Sequence, residues 1–259
     1  MAAPLSADAF LKALKAEGLT VVEVGDWRNH HRNHKGPWGP VHGVMLHHTV
    51  TKGTARTVGI CRDGYEGLPG PLCHGVIDKA GRVHLIGYGR ANHAGLGDDD
   101  VLQAVIAERA LPAANEANTD GNRHFYGFEC ENLGDGEDPW PDVQVEAMVR
   151  AAAAVVRAHG WGEDGDTSIL GHLEWQPGKI DPKGVSMAGI RRRATERLDH
   201  AASWSRETTA TYTVVNGDTL WSIAARKLGA GARYTEIKSL NSLKGDALTV
   251  GQKLKLPKK

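Results

Sequence analysis

The chain has 259 residues, 41% of them hydrophobic and 24% charged, which suits a soluble protein with one full domain and a small second one. Lys plus Arg and Asp plus Glu both number 31, so no overall charge marks a nucleic-acid binder. No apolar run approaches the ~18 residues of a membrane span, and membrane insertion is not expected. The opening Met-Ala-Ala-Pro-Leu-Ser-Ala-Asp has neither the basic start nor the apolar core of a signal peptide, so synthesis in the cytoplasm is expected. Cys61, Cys73 and Cys130 are too few, and odd in number, for a disulfide framework, although a Cys61–Cys73 bridge stays open.

In chain order, residues 6–17 fit an amphipathic helix with Ser6 as its cap, Phe10, Leu11 and Leu14 on one face, and Gly18 as its stop. His30, His31 and His34 sit among Arg, Asn, Gly and Pro and fit an exposed loop. Residues 41–47 predict a buried strand, 74–86 a hairpin turning at Lys-Ala-Gly, 100–110 a helix, and 125–131 another strand. Val145, Met148, Val149, Ala152, Val155 and Val156 recur at helical spacing over 142–159, with Asp142 to cap and Gly160 to stop. Residues 167–171 predict a last strand ending at His172. A helix follows Ser186, with Met187, Ile190, Ala194 and Leu198 inward. Strands alternating with helices predict an α/β fold, a mixed central sheet flanked by helices, over residues 1–198.

Residues 199–210 lack periodicity and fit a linker. A compact pattern restarts at 211–259: a strand at Thr-Tyr-Thr-Val-Val, a turn whose Asp218 can cap a helix, and a helix face of Leu220, Ile223, Ala224 and Leu228. A short helix at about 234–241 and a closing strand complete a small βααβ unit. Residues 211–259 carry nine Lys or Arg against three Asp or Glu, a net +6, which leaves −6 on the rest of this neutral chain.

The chemistry concentrates in three places: the His47-His48 pair, His172, and Asp181. Two imidazoles and a carboxylate suit a borderline ion such as Zn²⁺, and three protein ligands leave one tetrahedral position for water. That is the plan of a hydrolytic centre. Neighbours on a strand point to opposite faces, so one of the paired histidines serves the metal and the other fits a hydrogen-bonded core position.

Residues 41–182 resemble the zinc-dependent N-acetylmuramoyl-L-alanine amidases, the family that includes peptidoglycan recognition proteins and phage endolysins. The carrying stretches are His47-His48-Thr49, Cys73-His74-Gly75-Val76-Ile77-Asp78, Asn92-His93-Ala94-Gly95, Gly127-Phe128-Glu129, Gly171-His172 and Lys179-Ile180-Asp181-Pro182. The wording Pro-Gly-Pro-Leu-Cys-His and Gly-His-Leu-Glu-Trp-Gln-Pro-Gly-Lys looks most like endolysins of phages of actinobacteria. The resemblance implies hydrolysis of the amide between the lactyl group of N-acetylmuramic acid and L-alanine. It implies zinc held by His47, His172 and Asp181, with Glu129 as general base and Glu131, two residues on, as the alternative. Lys179 is implied to stabilise the oxyanion. His48, His74, His93 and Cys73 are implied to face substrate, Cys73 where some relatives carry an assisting tyrosine.

The 211–257 stretch resembles a LysM domain through Tyr212-Thr213-Val214-Val215, Gly217-Asp218-Thr219-Leu220-Trp221-Ser222-Ile223-Ala224, Asn241, and Leu248 to Pro257. The resemblance implies binding of N-acetylglucosamine glycan at the loops of Gly217, Asp218, Thr219 and Asn241. Helical spacing assigns Leu220 and Trp221 to the core. Together the two resemblances imply a monomer made in a host cytoplasm that acts on the wall after release, with peptidoglycan, not nucleic acid, as its partner.

Overall fold

The computed structural model describes residues 2–162, 168–204 and 210–257, and it divides into two units, Met1–Trp204 and Ser205–Lys259. In the first unit six strands form one sheet: β1 (Val21–Glu23), β2 (Gly43–His48), β3 (Gly75–Ile77), β4 (Val83–Leu85), β5 (Phe125–Cys130) and β6 (Ile169–Gly171). Their order across the sheet is β1-β4-β3-β5-β2-β6. The β3–β4 hairpin pairs antiparallel, and the other neighbours in this sheet pair in parallel. Parallel strands need crossovers and cover on both faces. The helices are α1 (Ala7–Ala16), α2 (Thr54–Asp63), α3 (Asp99–Ile106), α4 (Asp142–His159), α5 (His172–Trp175) and α6 (Met187–Leu198).

Alternation along the two central strands sorts the side chains into layers. Val44 and Leu46 of β2 and Tyr126, Phe128 and Cys130 of β5 enter the main core with Phe10, Leu14, Met148, Ala152, Val155 and Ile190 from α1, α4 and α6. Met45, Phe125 and Leu170 face the other way and pack with Val101, Leu102, Val105 and Trp175. His47 and Glu129 continue this second row. The alanines at 151–154 keep α4 thin where it lies on the sheet, and all four are buried.

The capping expectations divide. Ser6 accepts the Ala9 N–H, and Gly160 ends α4 in the left-handed region. Asp142 is not a cap: Pro141 occupies that position, and Asp142 lies in the first turn, where its charge still suits the helix dipole. The helix expected at 100–110 runs from Asp99 to Ile106, capped by Asp98. Helix α2 and strand β1 are additions to the sequence reading. With only Thr57 and Cys61 buried, α2 has a weak apolar face. Its start is held from outside, because the Glu131 carboxylate accepts from the Gly53 N–H and the Thr54 hydroxyl, both at 2.8 Å. Residue 167, expected to open the last strand, lies outside the described residues.

In the second unit β7 (Ala210–Thr213) pairs antiparallel with β8 (Lys253–Leu256), and α7 (Leu220–Leu228) and α8 (Tyr234–Leu240) complete a βααβ unit. Its core is Val214, Leu220, Ile223, Ala224, Leu228, Ile237, Leu254 and Leu256. Three expectations change here. Thr219, not Asp218, caps α7 by accepting the Ser222 N–H. Trp221 is 57% exposed, because Leu220, Ile223 and Ala224 already fill the buried face and the next residue turns about 100° away. Its indole instead lies over Gly231 and beside Tyr234. Of the expected linker, 205–209 lie outside the described residues. His200 and Trp204 stack at 4.4 Å, which carries the first unit on to Trp204.

A buried ion cluster ties the end of α1 to α4 and α6. The Glu17 carboxylate, 1% exposed, accepts from Arg157 at 2.8 Å and from the equally buried Arg197. Removing one partner of such a pair strands a buried charge, at a cost of about 3–5 kcal/mol. Glu17→Ala is therefore expected to lower the stability of the first unit by that order in denaturant unfolding, and Arg197→Met with Glu17→Leu to recover most of the loss.

Candidate active site

Three neighbouring parallel strands deliver their last residues to one place. Register pairs His47 with Glu129 across β2 and β5, and Leu46 with Gly171 across β2 and β6, so His172 follows beside them. Open α/β sheets bind ligands at these carboxyl ends. His172 opens the short helix α5, which is pinned from two sides. Glu174 accepts the Gly171 N–H and both arms of Arg191, at 2.8 and 2.9 Å. The Leu173 N–H donates to the Asp181 carbonyl at 2.8 Å, which brings the 179–181 loop back over the strand ends.

His47 Nδ1, His172 Nδ1 and Asp181 Oδ2 meet there, separated by 3.1, 3.0 and 3.1 Å. Their outer partners fix which protons are present. His93 Nε2 lies 3.1 Å from the Phe125 carbonyl, so that nitrogen carries the hydrogen. Burial holds the His93 pKa well below its ordinary value, so the ring is neutral and its Nδ1 is an acceptor. His47 Nε2, 3.1 Å from that acceptor, therefore donates. Burial also keeps His47 down at about 4, so its Nδ1 is a bare lone pair. His172 Nε2 faces Gln176 Oε1 at 3.2 Å, which turns its Nδ1 toward His47 and Asp181.

Two imidazole nitrogens and a carboxylate oxygen thus face one another at 3.0–3.1 Å. That donor set suits a borderline metal ion. Tetrahedral ligands at ~2.0–2.1 Å from a metal stand about 3.3 Å apart, close to the spacing seen here. Among the described residues these three form a group able to hold a metal.

The cluster lies in a cleft of about 380 Å³ whose walls include Val50, Leu68, Leu72, Gln176, Lys179 and Ile180. Glu129 reaches the same cleft, and its Oε2 is buried with no hydrogen-bond partner. Burial, then the nearby Cys61 and Asp181, push its pKa well above the carboxylate range, and Lys179 opposes them. The exposed Lys179 acts electrostatically on both Glu129 and His47.

Several sequence expectations move. Glu131 lies beyond the end of β5, and its carboxylate is engaged at the start of α2. His48, on the alternate face from His47, still borders the cleft, while its ring accepts the Lys183 N–H at 3.0 Å and lies against Gly134. Cys73 is not a cleft residue. It is fully buried with Cys61, Val76 and Ile86, and burial and the adjoining Cys61 raise its thiol pKa. Cys61 and Cys73 are free thiols. His74 is likewise enclosed. It stacks on Trp38 at 5.2 Å, its Nε2 donates to the Gly89 carbonyl, and its Nδ1 accepts the Gly127 N–H. His93 borders the cleft, but its nitrogens are both engaged, Nε2 with the Phe125 carbonyl and Nδ1 with His47.

Gly127 is needed beneath His93, since a Cβ there would come within 2.5 Å of the ring. Asn122 accepts the His93 and Ala94 N–H groups at 2.8 Å and sets the segment's height. Gln176 and Asn122 escaped the sequence reading, although Gln176 stands four residues after His172, a helical spacing that could have flagged it.

In the second unit, Gly217 and Thr219 are exposed. The Asp218 side chain is turned inward, accepting from the Tyr212 hydroxyl at 2.6 Å and the Val215 N–H at 3.0 Å. Asn241 bridges α8 to β8 through Ile237, Lys255 and its own amide. These two side chains shape the loops and leave backbone, not themselves, to meet a ligand.

The family model for N-acetylmuramoyl-L-alanine amidase matches residues 37–184, and the LysM domain model matches 212–257. Among curated proteins none matches the chain significantly. Solved structures similar to it include the N-acetylmuramoyl-L-alanine amidase LysC from Clostridium intestinale URNW. That similarity has 14% identity, a TM-score of 0.44, and covers 68% of this chain and 97% of that one. The Ph2119 endolysin from the Thermus scotoductus MAT2119 bacteriophage is 16% identical, TM-score 0.42, over 67% and 98%. AmiD from E. coli, in complex with an anhydro-N-acetylmuramic acid peptide, is 15% identical, TM-score 0.44, over 78% and 74%.

Outer partners of metal-bound histidines typically contribute 10–100-fold in affinity. His93→Ala and Gln176→Ala are each expected to weaken the affinity of the cluster for added Zn²⁺ by about that factor, read by competition with a chelating dye, while circular dichroism stays that of the parent.

Proposed function

The chain belongs to the N-acetylmuramoyl-L-alanine amidase family, and we propose that its cleft hydrolyses the muramoyl–alanine amide of peptidoglycan with a zinc ion held by His47, His172 and Asp181. The observation that carries the reading is the convergence of His47 Nδ1, His172 Nδ1 and Asp181 Oδ2 within 3.0–3.1 Å of one another. When bound, zinc supplies a Lewis acid that polarises the scissile carbonyl and lowers the pKa of water. Glu129 takes the proton of the attacking water on Oε2 and passes it to the leaving nitrogen of alanine as the C–N bond breaks. The products are a lactyl carboxylate and a free alanine amine. The raised pKa of Glu129 suits a group that must hold that proton between the two steps. Lys179 places a positive charge toward the oxyanion that forms on the carbonyl.

The LysM unit anchors the enzyme to N-acetylglucosamine glycan through the backbone of the Gly217–Thr219 loop and the loop after Asn241. Tethering raises the local concentration of the scissile bond. The net +6 of residues 211–259 adds attraction to an anionic wall. The wording of the catalytic motifs supports a phage endolysin as the biological role.

Glu129→Gln should keep its zinc and lose about a hundredfold or more in turnover, the scale of a general base. Release of new N-terminal alanine from purified wall reads the rate, and elemental analysis reads the metal. Full activity in that variant would move the proton transfer elsewhere. Deleting residues 205–259 is expected to leave cleavage of soluble muropeptides intact and to reduce pelleting with walls. The part of the pelleting due to charge should fade at high salt. Equal pelleting of both chains would remove the anchor role.

A further inference from the structure

Val50 stands on the rim of the cleft in a conformation that its side chain opposes. Its φ is +51°, and it is the β-branched member of the three described non-glycine residues with positive φ. For a branched side chain this left-handed region is a genuine outlier. Its neighbours impose it. The Thr49 N–H donates to the Cys130 carbonyl at 3.1 Å, and the Thr49 hydroxyl accepts from Asn132 N–H at 3.3 Å and from the Thr51 hydroxyl at 2.8 Å. The Thr51 hydroxyl also bonds to that of the buried Thr57 at 2.7 Å. A glycine would accept this backbone without strain.

The valine also gains little from packing, because it is 67% exposed. Its isopropyl group borders the cleft that holds the His47, His172 and Asp181 cluster, and Leu68, Leu72 and the 60% exposed Ile180 supply the other apolar surface there. A residue that is strained, unpacked and apolar at the mouth of a polar site has no stabilising role within its own chain. Strain retained at such a position points to a ligand.

We propose, resting on the amidase reading above, that Val50 is a substrate-contact residue. Its side chain packs on a methyl-bearing carbon flanking the scissile amide, the lactyl carbon on one side or the alanine Cα on the other. This is binding felt equally by ground state and transition state, so it appears in KM and not in kcat.

The test uses the full zinc-loaded chain, with Val50→Gly and Val50→Asn, both compatible with a left-handed backbone. The probe is N-acetylmuramoyl-L-alanyl-D-isoglutamine, with amine release giving kcat and KM and calorimetry giving Kd. The expected result is a KM or Kd about fivefold higher, below the range for a methyl group in an enclosed pocket, with kcat within about twofold. Melting temperature should rise by about 2–4 °C as the strain is relieved. Unchanged KM and Kd, or a fall in melting temperature showing that Val50 packs structurally, would overturn the proposal. A parent chain that binds the probe yet releases no alanine amine would instead count against the amidase reading, and Kd would still decide the role of Val50.

Discussion

The register of three parallel strands is the constraint on which the site depends. β5, β2 and β6 are neighbours, and their pairing sets Glu129 beside His47 and Gly171 beside Leu46. Side chains alternate with a period of two, so slipping β5 by one residue against β2 would put Phe128 in the cleft and Glu129 in the main core. The apolar rows above and below forbid that slip. Tyr126, Phe128 and Cys130 are fully buried with α1 and α4, and Phe125 is fully buried with Trp175 on the other side. The position of the Glu129 carboxyl is thus set by hydrophobic packing along the same strands.

Given that frame, the hydrogen-bond chain decides the chemistry of the donors. A chain running from the Phe125 carbonyl through His93 to His47 begins and ends on the same sheet, since Phe125 is in β5 and His47 in β2. The strands that place the histidine also orient its lone pair. On the other side, Gln176 does the same for His172 from within one turn of the same segment. An imidazole with its outer nitrogen donating is a better and better-aimed ligand than one free to choose its tautomer.

Much of this was legible in the sequence, and the failures have a common cause. Periodicity located α1, α4 and α6, and the motif spacings brought His47, His172 and Asp181 into one reading. What a motif cannot show is which side of a strand end a residue faces or what already fills its hydrogen bonds. His74 and Cys73 sit in a stretch that matches the family, yet both are buried and enclosed by other side chains. Asp218 and Asn241 are polar loop residues whose partners, Tyr212 and Lys255, are distant enough in sequence to be invisible locally. Trp221 was misread for a different reason. An apolar residue next to a buried one on a helix lies off the buried face, and the face was already fixed by Leu220, Ile223, Ala224 and Leu228. Helix α2 gave no signal because its stability comes from Glu131, a contact across 77 and 78 residues.

Local rules and the global fold agree along most of the chain, and three disagreements meet in one cleft: a buried carboxyl oxygen without a partner, two imidazoles and a carboxylate crowded together, and a valine in the left-handed region. Each disfavours the folded chain on its own, and a sequence selected for stability alone would replace them with a paired amide, a proton donor and a glycine. What tolerates them is well removed in the architecture. The Glu17, Arg157 and Arg197 cluster and the alanine face of α4 lock the opposite side of the sheet. A rigid back layer fixes the strand ends, so the cleft cannot relax its strain by moving. Both the unpartnered Glu129 oxygen and the close approach of His47, His172 and Asp181 follow from that rigidity, which is why the helix layer behind the sheet and the cleft in front of it form one structural unit.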